Sequence, residues 1–328
     1  MHTPRLCIDA RAGQEMAAMG AIAQEAVDQL VAGWGEDETS SEWIEKRRVV
    51  VLSHPDQVFS GQLKRHDTAL GLARSPWHWI QHRHFCRDSG ISIFHGFHPI
   101  DRCTPSWGLP TLTTLLPPVK RLPFFLSRKS EHHYLVPSEK DALLLKKRYL
   151  IPDSQVTTLL PATRRYVHFT DRPTRKEEGS LLLVTGGPVP QKLQQRLFKG
   201  ISEKYPKLPK RALSLRQVNQ LSAMDWRKKL EDTRLLIYLV SSPFDWATLP
   251  LEAIYWGIPT VFLDEHAALN ELLPQSRFRL SRFLVDPPSL KELDIVAERD
   301  RTTLEERDCF DELAFAKSYR DAYRKLSV

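Results

Sequence analysis

The chain has 328 residues, of which 41% are hydrophobic and 27% charged, and its formal net charge at pH 7 is +7. This composition is typical of a globular protein of about two domains, and no stretch reaches the roughly 18 apolar residues of a membrane span. The four cysteines form no CxxC pair, so we expect reduced thiols in a cytoplasmic protein and no zinc site. The first residues lead directly into a strand-like run, so we expect no signal peptide. The positive charge favours anionic partners such as phosphates, nucleotides or acidic lipids, or it is a solvated basic surface.

Short apolar runs alternate with amphipathic stretches along the first half of the chain. This alternation predicts parallel strands that are covered by helices on both faces. The predicted strands are 5–10, 49–53, 91–95, 134–137 and 155–160, and the predicted helices are 20–32, 65–72, 77–87 and 138–149.

The polar segment 171–179 contains a proline and a glycine and predicts a linker. After it the same alternation restarts, so we expect two α/β units with a cleft between them. Ligands of such sheets bind at the carboxyl ends of the strands. In the second unit the predicted strands are 181–185, 213–215, 235–240 and 260–263, and the predicted helices are 190–205, 226–231, 249–256 and 309–326.

Segments that cover most of the chain resemble, in order, the retaining glycosyltransferases of family 4. The resemblance implies the GT-B fold, in which two Rossmann-like domains with parallel sheets face each other across a cleft. It implies an acceptor-binding domain at 1–170, a nucleotide-sugar-binding domain at 178–306, and a last helix within 309–328 that crosses back to the first domain. The resembling segments are RLCIDARAGQEMAAMGAIAQEAVDQL, ISIFHGFH, HHYLVPSEKDALLLKKRYLIPDSQVTTLLPATRRYVHF, LLLVTGGPVPQK, SSPFDWATLPLEAIYWGIPTVFLDE and CFDELAFAKSYRDAYRKL.

The resemblance implies a donor site in the second domain. Lys192 matches the phosphate-binding lysine that follows the glycine turn at Gly186, while Gly187 stands where the family has an arginine. Glu252 matches the second glutamate of the family's E-x7-E motif, which binds the ribose, and Leu249 fits the same motif. A carboxylate is suited to accepting two hydroxyl groups. The alternatives are a solvated lysine at a helix start and an ordinary glutamate that the helix dipole favours.

Three further residues complete the candidate catalytic and sugar-binding set. Strict spacing puts Phe244 at the first glutamate of the motif, so Asp245, one residue later, is the candidate for that role. Its alternative is a turn aspartate that bonds its own backbone. His95, at the end of a predicted strand, is a candidate catalytic residue or a structural histidine. Glu271 is a candidate contact to the sugar hydroxyls.

Two features belong to the predicted first domain. Gly20 and Ala21 precede a predicted helix and form a candidate phosphate loop, where backbone N–H groups stabilise an anion, or a simple turn. The segment 119–129 (VKRLPFFLSRK) combines four basic residues with two phenylalanines. It predicts a peripheral contact with the inner face of the cytoplasmic membrane, where a lipid-linked acceptor lies. The alternative is a buried phenylalanine pair with solvated charges.

The resemblance implies an enzyme that transfers a sugar from a nucleotide-sugar donor to a glycan or lipid-linked acceptor. The resemblance implies retention of configuration without a metal ion, no cofactor, and a role in cell-envelope polysaccharide or lipopolysaccharide synthesis. The missing arginine, the ambiguous first glutamate and the missing His-Asp step, replaced by LPTLTTLLPPVKRL, favour the alternative of a non-catalytic protein. Such a protein would bind a nucleotide sugar or a partner enzyme. No nucleic-acid-binding module is recognisable, so we expect no nucleic acid partner.

Overall fold

The structure is a computed structural model, and the chain divides into two compact units. Unit 1 comprises Met1–Leu159 with Glu312–Val328, and unit 2 comprises Leu160–Asp311. The predicted helix 20–32 and the predicted linker, apart from its last residue, lie outside the described part of the chain. The described residues are 6–9, 49–52, 64–66, 76–99, 108–117, 126, 128–159, 179–186, 191–218, 221, 223–240, 242–310, 318–319, 321–323 and 325–326.

Unit 1 contains a seven-stranded parallel sheet with the strand order β3-β2-β1-β4-β5-β6-β7. Its central strands are buried on both faces, because every side chain of the first and fifth strands is buried. Such strands form from continuous rather than alternating apolar sequence. The strands are β1 Leu6–Asp9, β2 Val49–Leu52, β3 Lys64–His66, β4 Ile93–Pro99, β5 Thr111–Leu116, β6 His132–Val136 and β7 Val156–Thr158.

Two helical segments of unit 1 match the sequence predictions. The helix α1 spans Pro76–Asp88, and α2 spans Glu139–Leu144 before continuing as a π-helical segment, Leu145–Tyr149. A short 3₁₀ helix, Asp153–Gln155, leads into β7. Ser138 caps α2, since its hydroxyl accepts from the Asp141 N–H at 3.0 Å and donates to the Asp141 carboxylate at 2.6 Å. This reciprocal pair satisfies one of the free N–H groups at a helix start.

Two predictions for unit 1 are corrected by the structure, and one strand was missed. The predicted helix 65–72 is wrong at its start, since residues 64–66 pair with β2 as a strand. The predicted strand 91–95 begins two residues later and extends to Pro99. The strand β5 was not predicted, because half of its residues are threonines. Of the four cysteines in the chain, the three that lie in the described residues are buried free thiols.

Unit 2 contains a four-stranded parallel sheet with the strand order β11-β10-β8-β9. Alternate residues of β8 and β10 face two different apolar clusters, so both faces of the sheet are covered. The predicted strand 213–215 is the end of β9 and the first residue of a helix. The strands are β8 Ser180–Gly186, β9 Lys210–Ser214, β10 Thr233–Val240 and β11 Thr260–Phe262.

Helices connect the strands of unit 2, as the right-handed crossover of parallel strands requires. The helices after β11 were not predicted from the sequence. Beyond unit 2, described residues between 318 and 326 are helical and belong to unit 1. The helices of unit 2 are α3 Gln191–Lys204, α4 Leu215–Val218, α5 Ala223–Glu231, α6 Thr248–Tyr255, α7 Ala267–Leu272, α8 Leu280–Val285 and α9 Glu292–Glu305. The α/β fold with two parallel sheets is therefore confirmed.

Candidate functional site

The strands of unit 2 end together at one edge of the sheet, which we call the carboxyl edge. Val240 at the end of β10 pairs with Gly186 at the end of β8, and Tyr238 pairs with Phe262 at the end of β11. The chain segments that leave this edge contain the predicted donor-site residues. In order along the chain the described ones are Gly186, Lys192, Asp245, Leu249, Glu252 and Glu271.

The segment 242–247, which joins β10 to α6, has an unusual backbone. Phe244 has φ 62° and Ala247 has φ 55°, so two residues other than glycine adopt the left-handed region. Each such residue costs on the order of 1 kcal/mol and persists only where the surroundings hold it. Both side chains are fully buried, so packing offsets the strain. The result is a fixed loop at the carboxyl edge.

Asp245 is held by groups from its own loop and from β10. Its Oδ1 accepts the Ala247 N–H at 2.9 Å, which is the turn contact that the sequence allowed as an alternative. Its Oδ2 accepts the Tyr238 hydroxyl at 3.2 Å and lies 3.4 Å from Nε2 of His266. Burial alone raises the pKa of this carboxyl, but His266 and these hydrogen bonds outweigh burial and lower it below its ordinary value. Asp245 is therefore ionised, and its catalytic role stays a prediction.

His266 links the segment after β11 to this carboxylate. Its Nδ1 accepts the Leu269 N–H at 3.4 Å and so caps α7. Because Nδ1 accepts this bond, Nε2, the nitrogen that faces Asp245, carries a proton. The Nε2 contact at 3.4 Å is not aligned as a hydrogen bond, and we describe it as electrostatic. Burial and the charge of Asp245 raise the pKa of Tyr238 well above its ordinary value, so the hydroxyl remains a donor.

Glu252 is a buried carboxylate on α6, with 8% of its surface exposed. Its Oε2 accepts the indole N–H of Trp226 at 3.0 Å, and Trp226 is itself buried on α5. Glu252 is the fifth residue of α6, the helix that follows the carboxyl end of β10, so it lies near the strand ends. A buried carboxylate is costly unless it is hydrogen-bonded, and this bond supplies part of that compensation. The neighbouring Arg227 stacks over the ring of Trp256, with 5.2 Å from Cζ to the ring centroid.

The other predicted donor-site residues have less specific surroundings. A Cβ atom added to Gly186 would lie 2.9 Å from Cβ of Leu215, so close packing explains why this residue is glycine. Lys192 is exposed in the first turn of α3. Leu249 packs against the apolar cluster that includes Trp226, and Glu271 is partly buried on α7. The predicted roles of these four residues are not tested by their geometry. Gly187, Gly20 and Ala21 lie outside the described residues.

His95 belongs to unit 1 and is completely buried. It is the third residue of β4, so it lies away from the carboxyl end of that strand. Its Nδ1 is 2.6 Å from the Tyr323 hydroxyl and its Nε2 is 2.9 Å from the Thr114 hydroxyl. Thr114 also contacts the hydroxyl of Tyr319 at 3.1 Å. These contacts attach the last helix to the sheet, and none of them supports the predicted catalytic role.

The predicted membrane segment 119–129 falls mostly outside the described residues. Of its described members, Arg128 and Lys129 are exposed, and the Arg128 guanidinium donates to the carbonyl of Tyr149 at 3.0 Å. Within the described ranges, no helix is both long and apolar enough to cross a membrane. The same residues contain no group of three or more His, Cys, Asp or Glu side chains arranged to hold a metal ion.

Two side chains of this region were not singled out by the sequence analysis. Tyr238 lies within an apolar strand and Trp226 within an amphipathic helix, so periodicity assigns both to the core. The signal that could have found them is chemical, because a buried tyrosine hydroxyl or indole N–H requires a hydrogen-bond acceptor. The carboxylates that accept these two groups are Asp245, seven positions after Tyr238, and Glu252, 26 positions after Trp226.

Comparisons with known proteins support the fold rather than a particular family. No protein-family model matches the chain. No curated protein matches it either. Among solved structures, a glycosyltransferase from Rickettsia africae is similar over 99% of both chains, with 9% identity and a TM-score of 0.60. At these identities the likeness shows the fold alone.

Two further solved structures are similar at a TM-score of 0.50. A glycosyltransferase involved in avilamycin A biosynthesis has 12% identity, covering 99% of this chain and 98% of that chain. The second, a UDP-glucose:anthocyanidin 3-O-glucosyltransferase in complex with UDP, has 8% identity over 100% of both chains. The protein thus has the GT-B glycosyltransferase fold. Its assignment to family 4 stays a prediction.

Proposed function

We propose that this protein is a glycosyltransferase that uses a nucleotide-sugar donor and binds the nucleotide at the carboxyl edge of unit 2. The acceptor is a glycan or a lipid-linked sugar, for which segment 119–129 would provide the contact with the membrane. The reaction proceeds with retention and without a metal ion, in the synthesis of cell-envelope polysaccharide or lipopolysaccharide. These finer statements rest on the sequence resemblance.

The observation that carries this proposal is the buried carboxylate of Glu252. A buried carboxylate beside the strand ends of a parallel sheet is a candidate binding group, since polar side chains with a ligand role gather at that position. The vicinal hydroxyls of a ribose are a suitable ligand, because each donates one hydrogen bond to a carboxylate oxygen. The GT-B fold and the position of Glu252 near the strand ends both support this assignment.

The remaining residues have roles that follow from the charge of the donor. The leaving diphosphate gains negative charge as the glycosidic bond breaks, so a cation and free N–H groups stabilise it. Lys192 supplies the cation, and the start of α6 at the fixed loop 242–247 supplies the N–H groups. Asp245 holds that loop and provides a negative charge near the developing positive charge of the sugar. The solved relative bound to UDP makes a uridine donor the first candidate.

The test is calorimetric binding of UDP, GDP and ADP, and of their common sugars, to the wild type and to Glu252→Gln. Glutamine keeps the shape and still accepts the indole N–H, but it loses the charge. We expect one nucleotide to bind the wild type, and the variant to bind it at least about tenfold more weakly, since a hydrogen bond to a charged group contributes about 1.5–3 kcal/mol. Glu203→Gln, which changes an exposed glutamate of α3, is the matched control. Equal binding by the two variants would contradict the proposed site.

A non-catalytic protein with the same fold is the second candidate. The burial of His95 in a hydrogen-bonded network favours it, because a side chain without exposed surface cannot contact a substrate. A donor-hydrolysis assay with the nucleotide sugar that binds separates the two candidates. Binding without any turnover, in the presence of a panel of glycan acceptors, would favour the non-catalytic protein.

A further inference from the structure

We propose that the amino edge of the unit 2 sheet is a docking surface for a bilayer that contains anionic lipids. The amino edge is the edge at which the strands begin, opposite the carboxyl edge. There Lys210 of β9 pairs with Leu181, and Thr233 of β10 pairs with Ser180. This surface belongs to unit 2 and is separate from segment 119–129 of unit 1. It involves no donor-site residue, so the inference does not depend on sugar transfer.

Exposed apolar side chains are concentrated in one short stretch of unit 2. In the part of the chain that the structure describes, seven large apolar side chains are exposed, and four of them lie within 284–295. Val285 is 86% exposed and Ile295 is 71% exposed, so neither belongs to the core. Leu284 and Leu290 are the other two. A single exposed apolar residue is ordinary, whereas a group of four in so short a stretch indicates an interaction surface.

This stretch contacts the end of α3, where the chain turns towards β9. The Tyr205 hydroxyl donates to the carbonyl of Pro288 at 2.5 Å. Lys204 and Lys207 lie one and two residues from Tyr205, and the exposed apolar residues of 284–290 lie within four residues of Pro288. Because one residue spans at most about 3.6 Å of chain, the lysines and the apolar side chains adjoin at this edge.

The lysines of this edge keep their positive charge exposed. Lys204, Lys207 and Lys210 are all exposed, and none of them has an ion-pair partner among the described residues. The register of β9 places Lys210 beside Leu181, whose side chain faces the cluster against which α3 packs. Lys210 therefore lies on the same side of the sheet as α3.

Most acidic side chains around this edge are already paired with a basic one. The exception is Glu292, whose carboxylate accepts the Ser289 N–H at 2.8 Å. A single unpaired negative charge thus stands against three unpaired lysines in the described part of this edge. The ion pairs are Asp232–Arg211, Asp286–Arg277, Asp294–Arg234 and Glu203–Lys199.

A bilayer with anionic lipids fits both kinds of side chain. Apolar side chains enter the boundary between the headgroups and the acyl chains, while lysines are attracted to the negative headgroups. Each lysine near such a surface strengthens attachment about fivefold. A nucleic acid would contact the lysines but leave the apolar side chains in water. Protein interfaces are depleted in lysine, so a protein partner fits the charged half poorly.

The experiment is co-sedimentation of the full chain with vesicles of phosphatidylcholine, either alone or mixed with phosphatidylglycerol. We expect stronger binding to the mixed vesicles, and weaker binding at high salt, because salt screens charges. Lys204→Gln combined with Lys207→Gln should weaken binding to the mixed vesicles about 25-fold, since each lysine contributes about fivefold. Val285→Ser combined with Ile295→Ser should weaken it at least about fivefold, at low and at high salt, because less apolar surface leaves water.

Two control variants make the same kinds of change elsewhere. Arg83→Gln combined with Lys228→Gln removes two exposed positive charges, and Ile80→Ser combined with Leu143→Ser removes two exposed apolar side chains. Both controls should bind the mixed vesicles as the wild type does. Since every substituted side chain is exposed, all four double variants should fold, and circular dichroism checks this.

Three results would overturn the inference. The first is that the folded wild type does not bind the mixed vesicles. The second is that either double variant at the amino edge leaves binding unchanged, which would assign any membrane contact to another segment. The third is a dimer, seen by analytical ultracentrifugation, that Val285→Ser combined with Ile295→Ser abolishes, because the surface would then join two copies of the chain. No nucleotide is used, so failure of the proposed donor site would not affect these outcomes.

Discussion

Asp300 is a buried carboxylic acid on α9 that the folded protein holds against ionisation. Only 5% of its surface is exposed, and its Oδ2 accepts the Ser276 hydroxyl at 2.5 Å. Burial raises its pKa from 3.8 to about 6, although the Ser276 bond and the charge of Arg299 act in the opposite direction. We predict that Asp300→Asn stabilises the protein near neutral pH.

The magnitude follows from proton linkage. The folded state binds the Asp300 proton more tightly than the unfolded state does. Protonation of Asp300 therefore stabilises the folded state fully below pH 3.8, and this contribution is lost as the pH rises through about 6. The full shift corresponds to about 3 kcal/mol. Roughly 1.4 kcal/mol of it is lost between pH 5.0 and pH 7.5. Asparagine carries no charge and still accepts the Ser276 hydroxyl. The free energy of unfolding of Asp300→Asn therefore lacks this pH dependence.

The assay is urea unfolding of the wild type and Asp300→Asn at pH 5.0 and 7.5, followed by tryptophan fluorescence. The stability difference between variant and wild type should be about 1.4 kcal/mol more favourable to the variant at pH 7.5 than at pH 5.0. Because the free energy of unfolding of the wild type is subtracted from that of the variant at each pH, the contributions of all other titrating groups cancel. Asp286→Asn, which removes an exposed carboxylate, is the control. An equal difference at both pH values would refute the assignment of a raised pKa to Asp300.

Two further predictions concern packing and the last helix. Gly186→Ala should lower the free energy of unfolding by about 1–3 kcal/mol, because the added Cβ would overpack the core. Gly200→Ala in α3 should raise it by about 0.5–1 kcal/mol, since there an added Cβ meets no described atom within 4 Å. Equal urea midpoints for the two variants would contradict this prediction. Tyr323→Phe removes a buried partner of His95 and should cost about 1–3 kcal/mol. Limited proteolysis should then cleave the C-terminal helix faster, and unchanged rates would argue against the network.

Local sequence was sufficient for the elements that pack as continuous apolar runs. The strands β8 and β10 were predicted because Leu181–Thr185 and Leu235–Val240 contain almost only residues suited to a sheet buried on both faces. The strand β5 was missed because Thr111, Thr113 and Thr114 suggest a loop. Their burial depends on partners elsewhere in the chain, such as His95 for the hydroxyl of Thr114. No pattern within β5 reveals that partner.

The sequence by itself determined that the chain consists of parallel α/β units, and that Asp245 and Glu252 flank a loop-to-helix junction at the end of a buried strand. Chain order and periodicity are local properties, and they are enough for this result. Only the tertiary structure decided which groups meet these carboxylates. Tyr238 and His266 reach Asp245, and Trp226 reaches Glu252, from elements that are separate in the sequence. Hydrogen bonds of this kind depend on how helices and strands pack, and packing is not encoded in any single segment.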